Sequence, residues 1–125
     1  MVFSLLASNF DDHLRNHAFL MHHAGRWSLS PAYDLNPVPE IERARINKTS
    51  ITEDNEEPTI TGALNAAGRF AIKPRDAKTI LREVVDAVSA WRQTGKRLKL
   101  KAATLEAYAS AFEHELMDEA RAVLK

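Results

Sequence analysis

The chain has no cysteine among its 125 residues and no excess of either charge, since 17 basic residues balance 17 acidic ones. The missing thiols exclude disulfides, thiolate nucleophiles and cysteine-ligated zinc. A formal net charge of +0 argues against direct nucleic-acid binding, for which a basic domain is expected. No apolar run approaches the ~18 residues of a membrane-spanning helix. We therefore expect a cytoplasmic protein that binds neither membrane nor nucleic acid directly.

What the chain does contain is ordinary for one globular domain. Hydrophobic residues make up 45% of it and charged residues 27%. A chain of this size typically buries roughly two-thirds of its unfolded surface, so we predict a single domain over residues 1–125. Composition divides it into polar loops with a hairpin (1–40), a polar loop (41–58) and a helical scaffold (59–125).

A short apolar run at residues 18–21 is followed by HHAGR, whose glycine is typical of a hairpin turn. Trp27 and Leu29 then alternate with serines, which predicts a returning half-buried strand. Pro31 ends that strand, because proline has no N–H for a sheet ladder. Residues 1–8 look like the end of a buried helix or strand.

The C-terminal half predicts helices. A first helix is expected from Pro58 or Thr59 to about Phe70, and a second begins at Pro74, which suits a first helical turn. The second has an apolar stripe and should end at Gly95. The stripes of the second and final helices consist of Ala77, Ile80, Leu81, Val84, Val85, Val88 and Trp91, and of Leu105, Tyr108, Ala109, Phe112, Leu116, Ala120 and Val123. We expect these two helices to pack antiparallel, with Trp91 and Phe112 in the core, in a mainly α fold with a small β-hairpin (α+β).

The stretch NFDDHLRN, residues 9–16, concentrates charged and polar groups between apolar segments. Asn16 follows Asp11 by five positions, and Asp34 comes after the predicted hairpin, which can bring all three around one pocket. Asn and Asp oxygens suit a hard cation such as Mg²⁺, and a nearby carboxylate can accept a proton from an attacking hydroxyl. The same pattern occurs in protein kinases, where a catalytic Asp precedes a metal-binding Asn by five residues and a second metal-binding Asp follows a short strand pair.

The flanking residues carry a more specific resemblance. The segment NFDDHLRNHAFLMHHAGRWSLSPAYDLNPVPE closely resembles the catalytic segment of HipA-like serine/threonine kinases, the toxin components of bacterial toxin–antitoxin pairs. That family carries an N-x-D-D-H-x-x-N-x-x-F block and then L-S-P-A-Y-D-L. The similarity is close from about Phe3 to Pro39 and continues more loosely through the C-terminal helices.

The resemblance implies a role for each motif position and a fold that is part of the C-terminal lobe of a HipA/protein-kinase-like protein. Asp11 matches the catalytic aspartate, while Asn16 and Asp34 match the residues that hold Mg²⁺ against the ATP phosphates. Four more residues support the motif. Asn9 belongs to the block, Asp12 is expected to orient the loop, His13 to serve as hydrogen-bonded scaffolding, and Tyr33 to shape the turn that presents Asp34.

Parts of a complete kinase are missing from this sequence. The four glycines form no G-x-G-x-x-G loop, and no Lys–Glu pair precedes the catalytic loop to position the nucleotide. We expect an N-terminal lobe upstream of Met1 or on another chain, so the isolated chain should bind ATP weakly and transfer negligible phosphate. The other expected partners are a protein substrate, a HipB-like DNA-binding antitoxin and a second copy bound through exposed apolar surface.

Three alternatives remain open from the sequence. The polar loop could be an inert part of a small helical domain. A zinc hydrolase is suggested by a cluster that comprises Asp11, Asp12, His13, His17, His22 and His23, although no H-E-x-x-H motif is present. A non-catalytic interaction module could bind an antitoxin-like partner through the acidic EDNEE run or the basic KRLKLK run at 96–101.

Overall fold

The computed structural model describes residues 1–40, 51 and 58–125. These residues form two strands, β1 (Phe19–His23) and β2 (Arg26–Leu29), and seven α-helices. The helices are α1 (Val2–Leu6), α2 (Ile60–Ala66), α3 (Pro74–Ser89), α4 (Trp91–Arg97), α5 (Ala102–Ala107), α6 (Ala109–Phe112) and α7 (Glu115–Val123). Short 3₁₀ turns lie at Leu14–Asn16 and Ala67–Phe70. The mainly helical fold with one antiparallel hairpin confirms the predicted class, whereas the predicted polar loop at 41–58 lies almost wholly outside the described residues.

Helix α3 is the centre of the core. Pro74 begins it as predicted, and its buried face repeats every three or four residues through Ala77, Leu81, Val85 and Val88. The side chains packed against this face come from three other helices and include Leu5, Leu6, Ile60, Met117 and Ala120. Helices α1, α2 and α7 thus surround α3. Of the two alternatives left open for residues 1–8, a buried helix or a strand, the structure shows the helix.

The predicted helix after Pro58 is also present. Thr59 caps α2, because its Oγ1 accepts a hydrogen bond from the N–H of Gly62 at 2.9 Å. The carboxylate of Glu119 in α7 reaches the same end, where it accepts from the N–H of Ile60 at 3.0 Å and of Thr61 at 2.9 Å. Burial raises the pKa of Glu119, but these hydrogen bonds outweigh burial and hold that pKa below its ordinary value.

The prediction that the helix beginning at Pro74 ends at Gly95 was wrong. Helix α3 ends at Ser89, and Gly95 lies buried inside α4. A Cβ at Gly95 would come within 2.5 Å of Cδ2 of Leu105, so glycine allows α5 to pack closely against α4. Helix α4 ends at Arg97, and Lys99 just beyond it has a φ of +60°. The N–H of Leu100 donates to the carbonyl of Gly95 at 3.0 Å, which closes a Schellman motif.

The prediction of a single final helix was also wrong, because this segment forms three helices, α5, α6 and α7. The backbone of His114 is extended between α6 and α7. Its Nε2 lies 3.2 Å from the carbonyl oxygen of Leu6, which ties this break to α1. Trp91 and Phe112, expected in the core, are only partly buried. Their rings stack 4.6 Å apart beside an open groove, and Phe112 also packs against the core whereas Trp91 is not part of it.

The predicted hairpin is present, with Phe19 opposite Leu29 and Met21 opposite Trp27. Gly25 adopts a φ of +76° at its turn, as a tight turn requires. The expectation of a half-buried strand was wrong, because every residue of both strands is exposed. No other described element covers the hairpin, and an isolated pair of strands is at best marginally stable in water. No helix in the described ranges is long and apolar enough to cross a bilayer.

Candidate metal-binding and catalytic loop

The candidate loop starts where α1 ends. Ser8 adopts a φ of +51°, and the N–H of Asn9 donates to the carbonyl of Ser4 at 2.8 Å. This arrangement closes α1 with a Schellman motif in which serine replaces the usual glycine. Both Ser8 and Asn9 are buried. The first residue of the polar stretch, Asn9, therefore belongs to the wall of the core and not to a solvated turn.

Asp12 joins the loop to α1. Its Oδ2 accepts a hydrogen bond from Oγ of Ser4 at 2.8 Å, and its Oδ1 lies 3.8 Å from Nε2 of His17. Asp12 is therefore in contact with both the helix before the loop and the residue after the 3₁₀ turn. Asp11, immediately before it, is exposed. This geometry is compatible with the predicted division of labour, in which Asp12 orients the loop and Asp11 acts as the base.

Asn16 and Asp34 lie in direct contact. Nδ2 of Asn16 donates to Oδ2 of Asp34 at 2.6 Å, although 18 residues separate them. The second carboxylate oxygen of Asp34 accepts from Nδ2 of Asn36 at 2.8 Å. The hairpin thus brings together two of the three residues predicted around one pocket, and Asp11 lies in the loop that leads to Asn16. Their roles in catalysis and metal binding stay predictions.

The backbone around Asp34 is held in an uncommon conformation. Asp34 has a φ of +57°, in the left-handed region that is uncommon outside glycine and that Asp and Asn enter more often than other residues. Such conformations persist where surrounding contacts enforce them, and they concentrate at functional sites. One enforcing contact comes from the preceding residue, because the hydroxyl of Tyr33 donates to the carbonyl of Arg15 at 2.7 Å. Tyr33 therefore ties the segment after β2 to the 3₁₀ turn, in keeping with its expected role in shaping this turn.

His13 contributes to the loop through its backbone. Its N–H donates to Oδ1 of Asn16 at 3.2 Å, and its carbonyl accepts from the N–H of Asn16 at 2.8 Å. These two hydrogen bonds fix the 3₁₀ turn and the side chain of Asn16 together. The hydrogen-bonded scaffolding role expected of the His13 side chain stays a prediction, because Nδ1 of its ring is buried without a hydrogen-bond partner among the described residues.

The donor set fits Mg²⁺. Asn16 and Asp34 offer only hard oxygen ligands, and Mg²⁺ commonly takes one or two carboxylates and completes its shell with phosphate and water. In the present arrangement the NH₂ group of Asn16 faces Asp34, and its Oδ1 faces the N–H of His13. A cation between the two side chains requires the amide to turn so that Oδ1 faces Asp34.

The zinc alternative finds no support in the described part of the chain. There, no three His, Asp or Glu side chains lie close enough together to hold a metal ion. Nε2 of His22 lies 2.6 Å from Oγ of Ser28 on the hairpin, while His17 lies beside Asp12. The histidines therefore cluster in sequence but not in space.

Two residues that the sequence did not suggest take part in this site. Asn36 contacts Asp34, and the hydroxyl of Ser4 contacts Asp12. A signal for Ser4 was present, because a polar residue within the apolar run MVFSLLA needs a hydrogen-bond partner when it is buried. Which partner it takes depends on where α1 ends.

Comparison with protein families identifies the class to which the fold and loop belong. The family model of the HipA-like C-terminal domain matches residues 1–92. The chain therefore belongs to the HipA-like C-terminal domain family, and the resemblance seen in the sequence is confirmed. The matched segment contains Asp11, Asn16 and Asp34 and includes α1 to α3. Comparisons with curated proteins and with solved structures found no match.

Proposed function

We propose that this chain supplies the catalytic and metal-binding loops of a HipA-like serine/threonine kinase. The reaction transfers the terminal phosphoryl group of ATP to a serine or threonine hydroxyl of a protein substrate. The observation that carries the proposal is the 2.6 Å contact between Asn16 and Asp34, which joins the end of a D-x-x-x-x-N motif to an aspartate beyond the hairpin. Membership of the HipA-like family adds the toxin–antitoxin context.

Each residue of the loop has a separate task in this proposal. Asp11 accepts the proton of the attacking hydroxyl, and its exposure leaves it accessible to a protein substrate. The oxygens of Asn16 and Asp34 hold Mg²⁺, which when bound neutralises charge on the nucleotide phosphates. Asp12 keeps Asp11 at the start of the loop through its contact with Ser4.

The hairpin is the surface where we place the complementary kinase lobe. Phe19, Met21, Trp27 and Leu29 project from one face, since they form the two opposed pairs Phe19–Leu29 and Met21–Trp27. Each of these four residues is at least 59% exposed. An exposed apolar patch of this kind is typical of an interaction site. An N-terminal lobe that carries the phosphate loop and the Lys–Glu pair would cover it, and a second copy of the chain is the alternative occupant.

The proposal makes the isolated chain inactive. Phosphoryl transfer depends mainly on positioning and charge stabilisation, and two metal ligands without a nucleotide pocket position ATP poorly. The proposal places the chain in the cytoplasm, with ATP, its substrate and a HipB-like antitoxin. The interaction-module alternative would need only the surfaces and not the metal site.

Paramagnetic Mn²⁺, used in place of Mg²⁺, tests the metal site without relying on activity. In NMR spectra of the full chain, substoichiometric Mn²⁺ should first broaden the signals of the Asn16 side-chain amide and the Asp34 backbone. Asp34→Asn should remove this selective broadening, because it replaces the charged ligand. Asp86→Asn, which removes an exposed carboxylate from α3, is the matched control and should leave it intact. Broadening that survives Asp34→Asn would refute the site.

A further inference from the structure

An apolar groove lies between the C-terminal end of α3 and helices α4 to α6. Its volume is about 500 Å³, within the range of ligand-binding clefts. Its lining includes Val88, Trp91, Leu98, Leu100, Leu105 and Phe112. Most of the lining follows residue 92, whereas Phe3, Pro37, Ala87, Val88 and Trp91 line the groove from within the segment that matches the family. The kinase proposal assigns no role to this groove.

The base of the groove is closely packed, and its rim, formed by Leu98 and Leu100 and here called the lip, is exposed. Gly95 is buried because Leu105 packs directly against it, which sets α5 close to α4. Trp91 and Phe112 stack nearly parallel, with an angle of 17° between their rings. Leu98 and Leu100 at the lip are 66% and 47% exposed. A large part of each leucine side chain is therefore exposed and available to a binding partner.

The lip also carries positive charge. The run KRLKLK sets Lys96, Arg97, Lys99 and Lys101 on either side of the two leucines, and all four are exposed. None of the four pairs with a carboxylate in the part of the chain that the structure describes.

Among the residues that the structure describes, the acidic side chains near the groove do not pair with these cations. Arg92 binds Glu106 at 2.7 Å and Glu113 at 2.6 Å, so it already engages both carboxylates. Although the chain has no net charge, the segment that contains the two lip leucines therefore carries four exposed cations without a carboxylate partner among the described residues. Local potentials of this kind steer partners of opposite charge.

We propose that this groove binds an acidic amphipathic helix from a partner protein. The apolar face of the helix lies against Trp91, Leu98 and Leu100, and its carboxylates face Lys96 and Lys101. Helix-in-groove recognition uses apolar anchors at helical spacing, and charge complementarity at the rim selects the partner and its orientation. This inference does not depend on the metal site.

The concave shape favours a protein helix over an anionic membrane. A helix that lies on a bilayer inserts its apolar side chains outward into the lipid, whereas Trp91 and Phe112 here line an inward groove. A lipid surface would leave that volume unfilled. A helix of about 10 Å diameter can enter an open groove and bury the leucines at its lip.

The test uses a fluorescein-labelled peptide designed as a 14-residue helix with leucines on one face and glutamates beside them. Fluorescence anisotropy with the full chain should show binding that weakens as salt is added. A peptide with glutamine at every glutamate should bind at least about tenfold more weakly, because the carboxylates are lost. A scrambled peptide of the same composition should also bind at least about tenfold more weakly, because its apolar face is lost.

Variants of exposed residues locate the site without threatening the fold. Leu98→Ser and the pair Lys96→Gln with Lys101→Gln should each weaken peptide binding at least about tenfold. Ile80→Ser and Lys73→Gln remove similar exposed groups outside the groove and should leave binding unchanged. Circular dichroism verifies that each variant is folded.

Several outcomes would overturn the proposal. One is no peptide binding, and another is binding that Leu98→Ser leaves intact. Cosedimentation with phosphatidylserine vesicles that Leu98→Ser abolishes, without peptide binding, would assign the surface to a membrane. A dimer that dissociates in Leu98→Ser and that the peptide does not displace would assign it to a second copy. Each result is independent of Mn²⁺ binding at Asp34, so failure here leaves the proposed function standing.

Discussion

Nδ2 of Asn16 lies 2.6 Å from Oδ2 of Asp34, and this contact closes the β-hairpin at its open end. Asn36 donates to the other oxygen of the same carboxylate. Two neutral amides thus surround a negative charge at a position where the HipA-like sequence pattern implies a cation. Under the proposed function, binding of Mg²⁺ would exchange the hydrogen bond between Asn16 and Asp34 for contacts of their oxygens with the ion.

Asn16→Asp should make the stability of the chain depend on Mg²⁺. Without the ion, two carboxylates would face each other and repel, and we expect the melting temperature to fall by about 4 °C, or ~1 kcal/mol. Millimolar Mg²⁺ should restore the melting temperature, because an ion that binds only the folded state stabilises that state. Thermal melts with and without Mg²⁺ measure the effect. Asn65→Asp on the exposed surface of α2 is the control, and an equal response to Mg²⁺ in both variants would contradict the prediction.

The purified chain should not transfer labelled phosphate from ATP to protein. Adding a HipA-like N-terminal lobe as a separate chain should restore transfer, because that lobe supplies the missing nucleotide contacts. Asp11→Asn should then lower the restored rate by about 10²–10⁴-fold, the usual contribution of a general base. Clear transfer by the chain alone, or full activity of Asp11→Asn, would show that the proposed division of roles is wrong.

Trp27→Ser should prevent that complementation. Trp27 is an exposed member of the apolar hairpin face, so its loss costs little in the isolated chain but removes contact area for the lobe. Pull-down of the lobe by the chain measures the effect separately from catalysis. Phe70→Ser, which removes a similarly exposed aromatic residue outside the hairpin, should leave capture of the lobe unchanged. If the Trp27→Ser chain captured the lobe as well as the unmodified chain does, the lobe would have to dock elsewhere than on the hairpin.

Ser4→Ala should destabilise the fold by about 1–2 kcal/mol, because it leaves a carboxylate oxygen of Asp12 without its buried donor. Urea unfolding followed by circular dichroism measures the change. Ser28→Ala removes a hydroxyl from the exposed strand β2 and should cost less than about 0.5 kcal/mol. A loss no larger than this in Ser4→Ala would mean that Asp12 does not depend on Ser4.

Glu119 should make stability decline in acid. Its pKa is below the ordinary value of about 4.3 in the folded chain. Its stabilising effect is therefore fully present above that value and is lost as the pH falls through the lower folded pKa. Glu119→Gln should cost about 1–2 kcal/mol near neutral pH, and the difference from the unmodified chain should shrink below about pH 4.3. Urea unfolding at a series of pH values around 4.3 measures this stability difference. Glu83→Gln on the exposed side of α3 is the control.

Local sequence determined the elements that depend on near neighbours. The apolar repeat after Pro74 predicted α3, and the glycine in HHAGR predicted the hairpin turn. The spacing of Asn16 and Asp34 around that hairpin predicted their contact. In each case the physical cause acts over a few residues, or over a turn whose geometry the sequence specifies.

Tertiary structure alone decided which faces are covered. The alternation around Trp27 predicts a strand with two different faces, but exposure depends on which distant element packs there. Gly95 resembled a helix end and is instead a site of close packing under Leu105. The link between His114 and Leu6 spans 108 positions, and the position of the lip of the apolar groove depends on the turn at Lys99. These features follow from contacts between residues far apart in the chain, and the periodicity of a single segment contains no information about them.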